Sequence, residues 1–345
     1  MNAGLTVVIG ASAGGIPSLL DLVASLPPDL DASLFVVQHV SPNYRSALPE
    51  LLNKNGPFRA VHPTDGDRIA LRTIYVAPPD HHMLIDGDQV LVKRGPKENR
   101  FRPSIDALFR SAGYSHGQRV IGIVLSGALD DGTSGLWSVK RLGGVTVVQT
   151  PAEAEFDGMP LSALEQVDID HCVPARAIGK LLKTLAEQHS TASVDMPEDD
   201  PDRRRAGLET RIAEDADAFQ KGIMEAGKLT PFTCPSCHGV LVQIDEGSIS
   251  RYRCHTGHAY SRTALLSEIV QKVEETYWIA MRSLEEAAML LDHTADSLGR
   301  IGKPEQAEWF RSEAKAAESE SRELRDNLLR RRQFSGSNLF GREGG

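Results

Sequence analysis

Short runs of apolar, mostly β-branched residues recur through the first half of the chain, separated by stretches with helical spacing. Thr6-Val7-Val8-Ile9, Leu34-Phe35-Val36-Val37, Thr73-Ile74-Tyr75-Val76, Val120 to Leu125 and Val145-Thr146-Val147-Val148 have strand length and no polar alternation. Runs of that kind describe strands covered on both faces. Between them, Ile16 to Leu26, Arg45 to Asn53, Ile105 to Ala112 and Gly135 to Leu142 carry apolar residues at helical intervals. The alternation predicts an α/β domain with a doubly wound, mainly parallel sheet over residues 1–188. Met83-Leu84-Ile85 and Val90-Leu91-Val92, joined through Asp86-Gly87-Asp88, predict a hairpin inserted in that pattern.

The pattern changes after residue 188. Residues 189–229 read as a polar linker with a helical segment, and the stretch His189 to Arg205 has almost nothing to bury. Residues 230–260 form a short Cys/His-punctuated module. Residues 261–332 read as a helical hairpin with arms near 262–298 and 304–330, broken at Gly299 to Pro304. Leu265-Leu266, Ile269-Val270, Val273, Tyr277-Trp278, Met281, Leu284, Ala288 and Leu291 make an apolar stripe on the first arm. Trp309-Phe310, Ala314, Ala317 and Leu324 make one on the second. The stripes predict a self-packed antiparallel pair, with a docking face for a helical partner as the alternative. Residues 333–345 read as a flexible tail.

Composition narrows the function classes. The chain has 345 residues and a formal charge of −9, which argues against bulk nucleic-acid binding. No apolar run approaches the ~20 residues needed to span a bilayer, so no membrane insertion is expected. Met1 to Leu5 carries no Lys or Arg before its short apolar run, which argues against a secretory signal and for the cytoplasm. The four cysteines, three of them clustered late, do not have the even, dense spacing of a disulfide scaffold. Cys172 is expected to be a small buried residue.

The first predicted strand runs into Gly10-Ala11-Ser12-Ala13-Gly14-Gly15, with a helix to follow. A dinucleotide-binding turn fits poorly, because the spacing is not G-x-G-x-x-G and the second strand ends in Gln38-His39 rather than an acid. A serine at such a turn can serve as a nucleophile, with free helix N–H groups nearby for an oxyanion. His39 ends the next strand, and Asp130-Asp131-Gly132 follows the strand at 120–125. A hydroxyl, an imidazole and a carboxylate thus stand at equivalent ends of parallel strands, as an acyl-transfer triad requires. The competing reading has His39 capping a helix and Asp131 anchoring a turn.

An ordered set of segments makes the pattern specific. It comprises Val8 to Gly15, Val36-Val37-Gln38-His39, Asp65-Gly66-Asp67-Arg68 and Ile74 to His82. It continues with Arg102 to Phe109, Gly122 to Gly132 and Gly158-Met159-Pro160. Over residues 5–185 this set resembles the catalytic domain of the chemotaxis protein-glutamate methylesterases, the CheB family, a Rossmann-like methylesterase domain. The resemblance implies a Ser-His-Asp hydrolase that removes methyl esters from glutamates on chemoreceptor helices and can deamidate particular glutamines. It needs no cofactor for catalysis. By the same resemblance the catalytic residues are Ser12, His39 and Asp131, and the oxyanion donors are the backbone N–H groups of Ala13 and Ala128. The partner it implies is a methylated chemoreceptor or receptor-like helical bundle, with a methyltransferase or response regulator as candidate partners in trans.

The chain departs from the family at Ala128-Leu129-Asp130, where Met-Gly-x is usual, and at Asp157, where Phe is common. Leu129 restricts backbone dihedrals that glycine leaves free. Family members usually begin with a receiver domain, whereas this chain begins on the first catalytic strand, so control is expected to come from elsewhere. Two alternatives follow: a non-catalytic regulator that retains the fold, or a serine hydrolase for another ester or amide. His81-His82 are expected to be structural, and Arg100 and Arg102 are candidates for steering an acidic helix.

The tail carries a second constellation. Cys234-Pro235-Ser236-Cys237 is a Cys-x2-Cys knuckle, and Cys254 and His258 form a Cys-x3-His turn. Val240 to Ile244 and Ile249 to Arg253 between them predict a hairpin. Two turns bearing soft ligands on a hairpin predict a zinc-ribbon-like module with a structural Zn²⁺ held by Cys234, Cys237, Cys254 and His258. His255 is the rival fourth ligand. A disulfide, or a ribbon that has lost its metal, is the alternative. The tail stretch Arg253 to Ser261 also resembles an extension found on some methylesterase-domain proteins.

Overall fold

The apolar runs of the first half become the centre of a seven-stranded sheet. Among the described residues ten strands occupy this half: β1 (Leu5–Ala11), β2 (Ala32–Gln38), β3 (Arg59–Val61), β4 (Asp67–Arg68), β5 (Thr73–Val76), β6 (His82–Asp86), β7 (Gln89–Lys93), β8 (Val120–Val124), β9 (Val145–Gln149) and β10 (His171–Val173). Seven of them run in the order β10-β9-β8-β1-β2-β5-β3, and every pair is parallel. The computed structural model describes residues 4–43, 46–189, 197 and 199–330. Residues 1–3, most of 190–198 and the expected tail at 333–345 lie outside the described residues.

Alternation along each central strand feeds two cores. Val7, Ile9 and Ala11 face the layer of α1 (Gly15–Ala24), α2 (Leu48–Asn55) and α6 (Ile178–His189), where Leu19, Leu22, Leu52 and Leu182 are buried. Val8 faces the layer of α3 (Ile105–His116), α4 (Thr133–Arg141) and α5 (Gly158–Gln166), with Leu108, Leu136 and Met159. Each fully buried side chain of this kind is worth about 1.5–3 kcal/mol. That double burial is why the strands read as continuous apolar runs. The predicted hairpin forms β6 and β7, which pair antiparallel in a separate three-stranded sheet with β4. Cys172 corrects its expectation: on edge strand β10 it is exposed.

Chain order reverses between β1 and β8. From β1 the chain goes to β2 on one side and later returns to β8 on the other. The carboxyl ends of β1, β2 and β8 therefore border the crevice where open α/β sheets bind ligands.

A helix lies within the stretch read as a polar linker with a helical segment. Pro201–Asp215 form α7. The Asp200 carboxylate accepts from the N–H groups of Asp202 (2.9 Å) and Arg203 (3.1 Å), and Pro201 occupies the first turn. That combination starts a helix whatever its hydropathy. Beyond it lie β11 (Lys228–Thr233), β12 (Val240–Glu246), β13 (Ile249–Cys254) and β14 (Ala259–Ser261), an antiparallel four-stranded sheet. All three sheets and α7 belong to one unit, Met1–Leu265.

A buried ionic cluster joins these parts. Arg253 donates to Glu98 and Glu209, each at 2.7 Å. Arg110 of α3 pairs with Glu98 at 3.0 Å, and Arg251 pairs with Glu246 at 2.9 Å and with Glu209. The side chains of Glu98, Arg110, Glu209, Glu246, Arg251 and Arg253 are all buried. The neighbouring arginines hold Glu98, despite its burial, at a pKa of about 2 and Glu209 well below the usual carboxylate range.

The second unit, Leu266–Gly345, contains most of α8 (Arg262–Arg300) and α9 (Pro304–Arg330), separated at the expected break. The two helices pair antiparallel: Arg325 donates to Glu285 at 2.7 Å and Arg311 to Asp296 at 3.2 Å. Met281, Ala288 and Ala295 on α8 are buried, as are Ala307, Ala314 and Ser321 on α9. Their seven-residue spacing makes a seam of mainly small side chains that lets the backbones approach. Trp278 and Trp309, expected on packing faces, are exposed. No described helix is long and apolar enough to cross a membrane.

Candidate active site

Ser12 sits in the turn that links β1 to α1. Ser12 N–H donates to Ser126 O at 2.9 Å, and Gln38 Nε2 donates to Ser12 O at 2.7 Å. Gly14 makes the turn possible. Its φ is +64°, and a Cβ there would stand 2.6 Å from the Glu155 side chain and 2.9 Å from Ser126 Oγ. His39 follows β2, with its N–H on Ala11 O at 3.1 Å. Asp131 follows β8, in the loop that enters α4.

The structure brings the three expected residues together. Ser12 Oγ lies 3.0 Å from His39 Nδ1, and His39 Nε2 lies 2.9 Å from Asp131 Oδ2. With Nε2–H donating to the carboxylate, Nδ1 carries the lone pair that faces the serine hydroxyl. The ring of Phe101 stacks on the imidazole, with centroids 3.7 Å apart and planes 12° apart.

Asp131 is buried and saturated with donors. Oδ2 also accepts from Ile105 N–H at 2.9 Å. Oδ1 accepts from Asn99 Nδ2 (2.9 Å), Ser104 Oγ (3.0 Å) and Asp106 N–H (3.3 Å). Burial alone would raise its pKa, but the His39 hydrogen bond and charge, with the Asn99 and Ile105 donors, hold it below the usual carboxylate value. Two neighbouring acids move the other way. Asp106 is pushed well above the ordinary value by burial and by the Asp131 charge. Burial raises Asp130 to about 6, against the hydrogen bonds from Ser261 and Thr263. The site thus separates one ionised carboxylate from two acids that resist ionisation.

The loop after β8 passes close to the serine. A Cβ on Gly127 would stand 2.0 Å from Met159 Sδ and 3.0 Å from Ser12 Cβ, so only glycine fits. Gly127 N–H donates to Phe156 O (2.9 Å) and Met159 N–H to Gly127 O (2.8 Å), which ties the loop to the start of α5. Among the described residues, the N–H groups of Ala13 and Ala128 have no protein acceptor. Leu129 adopts φ +63°, the left-handed region that costs a non-glycine residue about 1–2 kcal/mol.

A cleft of about 450 Å³ opens over this group, lined among others by Ser12, His39, Lys97, Arg100, Phe101 and Arg102. Arg102 is committed to Asp80 at 2.7 Å and to Gly95 O at 2.6 Å. His82 is buried between Pro96 O (2.8 Å) and Ser104 N–H (3.3 Å), and His81 bonds Pro79 O at 3.0 Å, so both are bound locally. Sequence reasoning missed Asn99, Phe101, Ser104 and Asp106 as parts of the site. Three of them lie in or beside the segment Arg102 to Phe109, whose family likeness was the available signal.

The second constellation also assembles. Cys234, Cys237, Cys254 and His258 place their ligand atoms within 4.8 Å of one another. Cys237 Sγ and Cys254 Sγ are 3.6 Å apart, and His258 Nδ1 is 3.7 Å from both Cys234 Sγ and Cys254 Sγ. Ligands on a tetrahedron with metal–sulfur bonds of about 2.3 Å stand roughly 3.7 Å apart. All four cysteines of the chain are free thiols, and the four-residue set could hold a metal ion. His255 lies outside it, beside Gly239.

The family model described as CheB methylesterase matches residues 7–182, half of the chain. A Leptospira interrogans protein, provisionally named protein-glutamate methylesterase/protein-glutamine glutaminase, is 34% identical over 184 residues, covering 53% of this chain and 95% of its own. In Methanosarcina acetivorans, protein-glutamate methylesterase/protein-glutamine glutaminase 2 is 35% identical over 162 residues, covering 45% of this chain and 46% of its own. The crystal structure of the Thermotoga maritima CheB methylesterase catalytic domain matches with a TM-score of 0.51 and 30% identity, over 53% of this chain and 98% of that one. The chain belongs to the CheB methylesterase family and is a carboxylic ester hydrolase.

Proposed function

We propose that the chain is a protein-glutamate methylesterase, with protein-glutamine deamidase activity, acting on chemoreceptor helices through Ser12, His39 and Asp131. The observation that supports this reading most is the unbroken chain of contacts Ser12–His39–Asp131, at 3.0 and 2.9 Å. In the reaction, Ser12 Oγ attacks the γ-carbonyl of a methylated glutamate while His39 Nδ1 takes the hydroxyl proton. Asp131 stabilises the imidazolium that forms. The N–H groups of Ala13 and Ala128 receive the oxyanion. His39 then protonates the departing methanol. Water, deprotonated by the same imidazole, hydrolyses the glutamyl–serine ester and restores Ser12. With glutamine the departing group is ammonia.

Arg100 and Lys97 on the cleft rim give an acidic helix a basic border. Cys234, Cys237, Cys254 and His258 hold a structural zinc ion with all four positions filled by protein, which leaves no open position for catalysis. The test is methanol release from a helical peptide bearing a glutamyl γ-methyl ester. The parent releases methanol and Ser12→Ala loses on the order of 10⁴-fold or more in turnover. Equal release by the two proteins would overturn the reading.

A further inference from the structure

Residues 98–101 form a tight turn. Phe101 N–H donates to Glu98 O at 2.9 Å, and Glu98 N–H to Phe101 O at 3.2 Å. The two central residues, Asn99 (φ +48°) and Arg100 (φ +78°), are both left-handed, as the commonest two-residue hairpin turn requires. Asn tolerates that conformation better than most residues. Each end of the turn is anchored: Glu98 in the buried arginine cluster and Phe101 on the His39 ring.

Asn99 itself is buried between the Asp131 site and the four-stranded sheet. Its backbone N–H donates to Ala259 O at 2.8 Å, and its Oδ1 accepts from Ser261 N–H at 2.7 Å. Both partners lie on β14, the strand that leaves the Cys/His cluster after His258. The two hydrogens on Nδ2 then go to Asp131 Oδ1 (2.9 Å) and Asp106 Oδ2 (2.7 Å). Turned over, the amide would set its oxygen against two carboxyl groups and its NH₂ against an N–H. The Ser261 N–H therefore selects the one orientation in which Asn99 supports Asp131.

We propose that Asn99 is a positioning residue for the Ser12–His39–Asp131 unit, and that strand β14 of the Cys/His sheet sets the orientation in which its amide works. This rests on the hydrolase reading above. It makes the sheet beyond the family match part of the active site, because Asn99 bonds both Asp131 and β14.

The test uses the full chain with Asn99→Gly, which keeps the left-handed backbone and removes the side chain, and Asn99→Asp, which keeps the shape and removes the donors. Methanol release from the methyl-ester peptide is followed from about pH 5 to about pH 9. In both variants kcat falls about 10- to 100-fold, the range carried by a charge-assisted hydrogen bond, while KM stays within about twofold. The acidic limb of the rate profile moves to higher pH, because ionised Asp131 has lost a donor. His39, His82, Asp106 and Asp130 face Asp131 from the surrounding elements in parent and variants alike, but Asn99→Asp adds a carboxyl beside Asp131 and Asp106, so Asn99→Gly is the variant that reads the lost donor without a new charge. A loss of folded protein alone would lower the amplitude without moving the limb.

Ser261→Pro removes the N–H and also the hydroxyl that donates to Asp130 and accepts from Ala264 N–H, so Ser261→Ala, which removes the hydroxyl alone, is its reference. Relative to Ser261→Ala, Ser261→Pro produces the same loss as the Asn99 variants, and that loss adds nothing in the Asn99→Gly background. Parental kcat and an unmoved limb in Asn99→Gly and Asn99→Asp would overturn the role of Asn99. Multiplying losses in the double variant would overturn the role of β14. Should Ser12→Ala retain activity, the hydrolase reading fails instead, so the two failures are distinct.

Discussion

Phe101 lies flat on His39, ring centroid to ring centroid at 3.7 Å. The stack does two things at once. It restrains the imidazole between Ser12 and Asp131, and it covers one face of the ring from water. Phe101→Ala removes both. We expect kcat to fall about tenfold, with about 1 kcal/mol of stability lost, the scale of an aromatic contact. Turnover on the methyl-ester peptide and a urea titration check the two parts.

Asp130 carries a pH signature distinct from its neighbour. Burial raises its carboxyl from an ordinary 3.8 to about 6. A raised folded-state pKa contributes stability that is complete below the unfolded value and is lost as pH rises through the folded value. The loss therefore falls between about pH 4 and about pH 6. Asp130→Asn can still accept from Ser261 Oγ and carries no charge to desolvate. Its unfolding free energy should exceed the parent's well above pH 6 by up to about 3 kcal/mol and match it more closely at pH 4. Urea titrations at the two pH values measure this.

Glu209 should behave in the opposite sense. The arginines around it hold its carboxyl well below the ordinary value, and Glu98 stays ionised down to about 2. Depressed acids contribute stability that is present above their unfolded pKa and lost as pH falls through the folded one. Acid unfolding of this cluster thus belongs between 4.5 and about 2. Glu209→Gln leaves Arg251 and Arg253 underneutralised in a buried setting. Removing one partner of such a group costs about 3–5 kcal/mol at neutral pH. Denaturant midpoints of parent and variant decide it.

These cases mark what the sequence disclosed. β1, β2, β8 and β9 were legible because both their faces are buried, so nothing polar interrupts them. β3 and β10, three residues each, lacked the length to register. The meeting of Ser12, His39 and Asp131 could be foreseen because parallel strands bring their carboxyl ends to one edge. The Cys/His set was readable because its ligands come in local pairs. Asn99 and Glu209 were not. Each is a polar residue in a polar stretch, and its meaning lies in partners far along the chain, Ser261 for one and Arg251 for the other. The helix seam was legible in part: Met281, Ala288 and Ala314 of the expected stripes are buried, while Trp278 and Trp309 of the same stripes face out.

Metal at the Cys/His set is directly measurable. Parent protein loaded with zinc should hold about one ion per chain after dialysis, and Cys254→Ser should hold it at least about tenfold more weakly. Elemental analysis and competition with a chelator give both numbers. Chelation should also lower the thermal midpoint. A parent that keeps no zinc after loading would contradict the assignment.

The reactivity of Ser12 can be read out covalently. A fluorophosphonate is attacked by a serine that an adjacent imidazole activates, whatever the natural substrate. Mass spectrometry of the treated chain should find one adduct, on the peptide containing Ser12, and His39→Ala should form it at least about a hundredfold more slowly. An adduct confined to another residue, or His39→Ala labelling at the parental rate, would contradict it.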